Sequence, residues 1–178
     1  MRTKRIALVG SSSTGKTTVY ELLKNKLSKF DFINESTRSV AQYGFPINEK
    51  GTSETQLAIS SFHLEALLNP GNMLLDRCYM DLVVYSHFMD NIDAKVLDFI
   101  EDTWNRVKSE YTHYIYFPIE FDSVDDGVRS VNEKWRTDID EEFKAVTLAD
   151  RSTCTIPAYE GMSDVKIALS KAVTNLQK

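Results

Sequence analysis

Apolar positions along this chain follow two rhythms that alternate from end to end. Short continuous runs, such as Ile6-Ala7-Leu8-Val9 and Met73-Leu74-Leu75, have the length and composition of strands covered on both faces. Between them, apolar residues recur at spacings of three and four, the period of an amphipathic helix. Val19, Leu22, Leu23, Leu27 and Phe30 make one such stripe, and Val96, Leu97, Ile100, Trp104 and Val107 another. This pattern predicts strands over 4–9, 31–34, 73–76, 113–117 and 153–156. Helices are predicted over 15–30, 36–43, 53–68, 81–89, 93–110, 138–149 and 164–176. Gly44 is placed to end the second helix, Ser53 with Gln56 three residues on to cap the third, and Asn69-Pro70-Gly71 to stop it. Strands alternating with helices imply right-handed crossovers: an α/β fold, one domain over 1–178, with a parallel sheet covered on both faces. Binding then belongs at the carboxyl edge of the sheet, where Gly10, Glu35, Asp76, Pro118 and Pro157 follow strand ends.

The first strand runs into Gly10-Ser11-Ser12-Ser13-Thr14-Gly15-Lys16-Thr17 and then into a helix. In that order the pattern G-x-x-x-x-G-K-[ST] has a physical meaning. Glycines let successive backbone N–H groups turn inward to form a cavity for phosphate oxygens. The helix N-terminus adds unsatisfied donors and partial positive charge. Lys16 is expected to reach the outer phosphates and the Thr17 hydroxyl to bind Mg²⁺, with Gly10, Ser13, Thr14, Gly15 and Thr18 completing a nucleoside-triphosphate cradle.

Composition narrows the reading. The 178 residues suit one domain, and 42% hydrophobic with 26% charged residues describes a soluble globular chain. No apolar run is long enough to span a membrane, and the 6–9 run is too short for a secretory leader, so a cytoplasmic location is expected. Cys78 and Cys154 make neither a metal spacing nor a disulfide framework. A net charge of −5 argues against a broad nucleic-acid footprint, which depends on many Lys and Arg contacts, and favours a small-molecule partner.

Asp76 closes an apolar strand, where a carboxylate suits a Mg²⁺-organising role; its alternative is to cap the following turn. Arg77 is placed either to bind an acceptor phosphate or to pair with Glu35 or Asp81. Glu35 and Arg38 follow the second strand. They are read as a general base with its orienting partner, or as a structural ion pair at a helix start. Arg129 and Arg136 fall in a polar segment, about 120–137, read as a closing lid. Two guanidinium groups there would stabilise charge on a transferring phosphoryl group, unless they pair with Asp125, Asp126 or Glu133 on the surface. His63, His87 and His113 have no zinc spacing and read as structural, although His63 could touch an acceptor from the third helix. Tyr79, Tyr85 and Trp104 read as core rather than as platforms for a base.

These pieces together resemble the P-loop kinases of nucleosides and nucleotides, within the AAA-type group that includes ribosylnicotinamide kinases and related phage and bacterial proteins. The resemblance rests on Gly10–Thr17, on Asn34-Glu35-Ser36-Thr37-Arg38, on Leu75-Asp76-Arg77 with Asp81-Leu82-Val83-Val84-Tyr85, and on Asp125-Asp126-Gly127-Val128-Arg129 with Arg136. It implies a three-layer fold with a five-stranded sheet of order 2-3-1-4-5. It also implies ATP and Mg²⁺ as cofactors, Lys16 and Thr17 holding ATP·Mg²⁺, Asp76 on the metal, and Arg129 and Arg136 as lid arginines. Glu35 matches the base position of deoxynucleoside kinases. The implied partner is a small nucleoside or nucleotide acceptor, with a homodimer left open.

Two other classes compete. One is an NTP-binding or hydrolysing switch, but the guanine-reading Asn-Lys-x-Asp is absent from the chain, and a ring-forming motor would need a separate helical lid domain. The other is a kinase acting on DNA or on a modified base in DNA, which the acidic charge disfavours.

Overall fold

The computed structural model describes residues 3–120, 122–123, 127, 130–148 and 153–155. The strands are β1 (Arg5–Val9), β2 (Asp31–Ile33), β3 (Met73–Asp76), β4 (His113–Tyr116) and β5 (Thr153–Thr155). The helices are α1 (Lys16–Lys24), α2 (Ser36–Gln42), α3 (Ser53–Leu67), α4 (Tyr79–His87), α5 (Ala94–Val107) and α6 (Glu133–Leu148), with 3₁₀ turns at Asn48–Lys50 and Lys108–Glu110. All paired strands are parallel, and the sheet order is β2-β3-β1-β4-β5.

The central strand shows why the apolar runs are continuous. Ile6 and Leu8 face one side, packing with Val19, Tyr20, Leu23 and Leu27 of the α1 region. Ala7 and Val9 face the other, packing among residues of α3, α4, α5 and α6. Period-two alternation thus places apolar side chains in two separate cores, and each fully buried large one stabilises the fold by about 1.5–3 kcal/mol. The α/β class with helices on both faces is therefore observed.

The ladder continues past the strand ends and builds a rim. Leu8 is in register with Asp76 on one side and Ile115 on the other, and Ile33 with Leu75. Beyond the strands, the Arg77 N–H donates to Leu8 O (3.1 Å) and the Phe117 N–H to Val9 O (3.0 Å). Gly10, Glu35, Asp76 and Arg77 consequently gather at one carboxyl edge, and Pro157 lies outside the described residues.

Several boundaries differ from the sequence expectation. Helix α1 stops at Lys24, with Asn25 at its C-cap, rather than running to residue 30; Leu27 and Phe30 still reach the same core from the following turns. At α3 the cap is Thr52, whose hydroxyl accepts from the Thr55 N–H (3.4 Å), while Ser53 Oγ accepts from the Asp93 N–H (2.8 Å). Helix α4 begins two residues early because Asp81 accepts from the Cys78 N–H (2.9 Å), closing a reciprocal cap. Helix α6 begins at Glu133, inside the segment read as a lid, because Asn132 caps it through Oδ1 to the Trp135 N–H (3.1 Å). The α2 terminus follows expectation: Gly44 at φ 86 donates to Ala41 O (2.9 Å) and Phe45 to Val40 O (3.4 Å), the paired bonds of a Schellman motif. The expected helix over 164–176 lies outside the described residues.

Candidate active site

The loop between β1 and α1 is held in a conformation that ordinary residues resist. Gly10, Ser13 and Gly15 all have positive φ (136°, 54° and 85°). A Cβ on Gly10 would lie 2.5 Å from Phe117 O, so the neighbouring strand requires glycine there. Alternating backbone handedness of this kind turns amides toward a common centre. The α1 cap, Gly15, makes no side-chain hydrogen bond to the helix, so no side chain of its own competes for those amides.

Lys16 is buried within this loop, its ammonium donating to Gly10 O (2.9 Å), Thr14 Oγ1 (3.0 Å) and Ser11 O. Burial lowers its pKa to about 7, helped by the charge of Arg77 and opposed by Asp81, Asp76 and Glu35. An arriving polyphosphate would supply the counter-charge that this ammonium lacks. The Thr17 hydroxyl donates to Asp76 Oδ2 (3.1 Å), joining the first turn of α1 to the end of β3. Burial raises the Asp76 carboxyl above its usual range despite Lys16. A hydroxyl and a buried carboxylate are hard oxygen donors, which fit Mg²⁺, an ion that takes few protein ligands and completes its shell with water and phosphate.

Arg77 is the electrostatic hub. It has positive φ (76°), unusual for a side-chain-bearing residue and costly unless its surroundings enforce it. Its guanidinium donates to Glu35 Oε1 (2.7 Å), Asp81 Oδ1 (3.2 Å) and Gly10 O (3.3 Å), and lies 5.0 Å from the Tyr85 ring centroid. Burial would raise Glu35, but Arg77 more than offsets this and holds the carboxyl below its usual value. Asp81, more deeply buried, is pushed up to about 6 against the pull of Arg77. Arg38 also approaches Glu35, at 3.5 Å. Of the two roles open to Arg77 in the sequence, pairing with Glu35 and Asp81 is the one seen.

Two cavities meet at this hub. One, about 760 Å³ including its open mouth, is lined by Ser13 to Thr18, Asp76 and Asp122. The other, about 620 Å³ including its mouth, is lined by Ser12, Arg38, Gln56, Ile59, His63, Leu82 and Met89 among others. Glu35 and Arg77 line both. His63, buried beside Ser36 Oγ (3.5 Å), has its pKa lowered to about 4 by burial and Arg77, so it is neutral at pH 7.

Arg136 stands apart from the expectation of a lid arginine. It lies in the first turn of α6, 1% exposed, and grips the loop backbone through Ser12 O (2.9 Å) and Ser13 O (3.2 Å). It also pairs with Glu133 (2.9 Å), one of the alternatives the sequence offered. Ser11 Oγ returns a bond to Arg136 O (3.0 Å). Arg129 lies outside the described residues. Cys78, a buried free thiol, caps α4, and Tyr79 is core, its hydroxyl 2.8 Å from Ser60 Oγ. Sequence reading missed Gln56, which looked like a capping residue and instead faces the second cavity. It also missed the Arg136 grip, which no local spacing announces.

No helix among the described residues is long and apolar enough to cross a membrane. A family model described as AAA domain (AAA_28) matches residues 5–160. No curated protein matches the sequence. Among solved structures, the fold is similar to a NadR protein in complex with NR (TM-score 0.78, 16% identity, 97% of this chain and 51% of that one). This chain therefore spans about half the length of that protein. It is also similar to deoxyadenosine kinase from M. mycoides with products dCMP and a flexible dCDP bound (TM-score 0.71, 18% identity, 97% and 98% of the two chains). A third similar fold is thymidylate kinase from Ehrlichia chaffeensis (TM-score 0.70, 15% identity, 100% of each chain). The chain belongs to the AAA domain family and carries the fold of the P-loop nucleoside and nucleotide kinases.

Proposed function

We propose that this protein transfers the γ-phosphoryl group of ATP, with Mg²⁺, to a nucleoside or nucleotide. The carrying observation is the pair of cavities that share Glu35 and Arg77. A protein that only hydrolyses or senses a triphosphate has no need of a second, largely apolar cavity opening onto the phosphate loop.

In this reading the loop amides and the α1 terminus bind the phosphate chain, with Lys16 at its outer oxygens and Thr18 at the mouth. Thr17 and Asp76 hold Mg²⁺, which supplies charge neutralisation across the phosphates when bound. Glu35 accepts a hydrogen bond from the attacking hydroxyl at the junction of the two cavities. As the hydroxyl oxygen bonds to the γ-phosphorus, the bond to the bridging oxygen breaks, ADP departs with that electron pair, and the proton passes to Glu35 and on to solvent. A carboxylate held ionised by Arg77 is a weak base. That suffices, because a loose phosphoryl transition state needs alignment more than proton abstraction. Arg38 and Arg77 orient the acceptor side, and Arg136 fixes the loop on which the phosphates rest. Arg129, seven residues before Arg136, remains a proposed donor to the transferring group.

The test is transfer of label from γ-labelled ATP to acceptors by wild-type protein and by Lys16→Ala. Label on an acceptor, lost in Lys16→Ala, supports the reading; equal turnover by the variant overturns it.

A further inference from the structure

Part of the second cavity's wall is the connector between α2 and α3, residues 43–52, which contributes Ile47 and Asn48 to the lining. The ends of this connector are fixed by their neighbours. The Phe45 N–H donates to Val40 O (3.4 Å), Thr55 Oγ1 donates to Pro46 O (2.7 Å), and Thr52 caps α3. Its middle is the 3₁₀ turn Asn48–Lys50, which starts from a left-handed Asn48 (φ 58°) and closes with the Gly51 N–H on Asn48 O (2.9 Å). None of the three turn residues is buried, so packing does little to hold the turn in place.

A residue 81 positions away reaches it instead. The Ser130 hydroxyl, 7% exposed, donates to Glu49 Oε1 (2.5 Å), and its oxygen accepts the Asn132 N–H (3.1 Å). Asn132 in turn starts α6: its Oδ1 caps the Trp135 N–H (3.1 Å) and its carbonyl accepts from the Arg136 N–H (3.0 Å). The hydroxyl that holds the connector and the guanidinium that grips Ser12 O and Ser13 O thus sit on one helix end and its cap. That helix end carries a contact to the wall of one cavity and another to the floor of the other.

We infer that the Ser130–Glu49 bond is a latch that couples the wall of the second cavity to the phosphate loop. A triphosphate that orders the loop steadies Arg136 and the start of α6, and through Ser130 it holds the connector closed. This rests on the triphosphate-binding reading above and adds regulation to it. Its two states are the bond made and the bond broken, which gives the coupling a definite physical element. Because linkage is reciprocal, an acceptor that seats Ile47 and Asn48 tightens the hold on the triphosphate by the same factor.

The experiment follows backbone hydrogen exchange in residues 10–18 and 43–52 with and without saturating AMP-PNP and Mg²⁺. It compares wild type, Ser130→Ala, Glu49→Ala and Glu49→Gln. In wild type, AMP-PNP should slow exchange in both stretches, by about tenfold in the connector. In Ser130→Ala and Glu49→Ala the loop should still be protected and the connector should not. Glu49→Gln keeps an accepting oxygen and should recover most of the effect, which a role in packing alone would not predict. Glu49→Ala leaves the α6 cap intact, so agreement between the two alanine variants assigns the effect to the bond. Connector exchange unchanged by AMP-PNP in wild type, or slowed as much in both alanine variants, overturns the latch and leaves the phosphotransferase reading standing. No protection of residues 10–18 in wild type instead removes the reading on which the latch rests. Since the first comparison uses wild-type protein alone, misfolding of a variant does not shelter the inference.

Discussion

Glu35 and Arg77, 42 positions apart in the chain, meet through a 2.7 Å ion pair, and both residues line each of the two cavities. Each residue follows a strand that pairs with the other's, β2 beside β3, so their meeting is a consequence of sheet order. The pair is largely shielded from water, its side chains 11% and 15% exposed, which makes it expensive to break from one side only.

Arg77→Ala should therefore destabilise the fold by about 3–5 kcal/mol, because it leaves the buried Asp81 without its guanidinium and Glu35 with only Arg38, at 3.5 Å. Equilibrium denaturation in urea measures this. A loss below about 1 kcal/mol would mean that water replaces the guanidinium and that the hub is not structural.

Arg136→Ala should loosen the phosphate loop, since its guanidinium ties two loop carbonyls to α6. The expected outcome is a KM for ATP raised about tenfold or more with a lowered melting temperature, and partial recovery in Arg136→Lys, which keeps the charge but not the fork. A wild-type KM for ATP in the alanine variant would reduce Arg136 to a packing role.

Gly10→Ala should be poorly tolerated, because the added methyl meets Phe117 O at 2.5 Å in a backbone conformation of φ 136°. Loss of soluble protein, or a fall in melting temperature with loss of ATP binding, is expected. Unchanged calorimetric binding would show that the loop relaxes more freely than its geometry implies.

His87 introduces a pH dependence distant from the loop. Its ring nitrogens contact Glu142 of α6 (2.6 Å) and Glu101 of α5 (2.8 Å). Burial alone would lower its pKa, but the two carboxylates outweigh that and raise it above 6.5. The folded state thus holds the proton more tightly than the unfolded chain. The resulting stabilisation is complete below the ordinary pKa and is lost as pH rises through the folded value. Unfolding measured from pH 6 to 9 should show stability declining in wild type relative to His87→Gln. Parallel profiles would exclude the clamp.

Much of this site was legible because its parts are local in sequence or tied to strand ends. The loop from Gly10 to Thr17, Glu35 after β2 and Asp76 closing β3 follow from pattern and from where parallel strands terminate. Arg77 was harder. Strand alternation points it away from Asp76, but positive φ turns it back to Glu35 and Asp81. Arg136 and Gln56 are hard to place from sequence for a different reason. A lone arginine in a charged segment and a glutamine near a helix start look alike whether exposed or buried. Only the docking of α6 on the loop, and of α3 beside α4, decides that Arg136 is 1% exposed and Gln56 also 1%. The His87 bridge joins three helices and has no sequence signature at all.

The most direct measurement incubates the protein with γ-labelled ATP, Mg²⁺ and a panel of nucleosides and nucleotides, and separates the products. Labelled acceptor, absent in Lys16→Ala, is the predicted result. Label recovered only as inorganic phosphate, at the same rate with and without every acceptor, would contradict the two-cavity account.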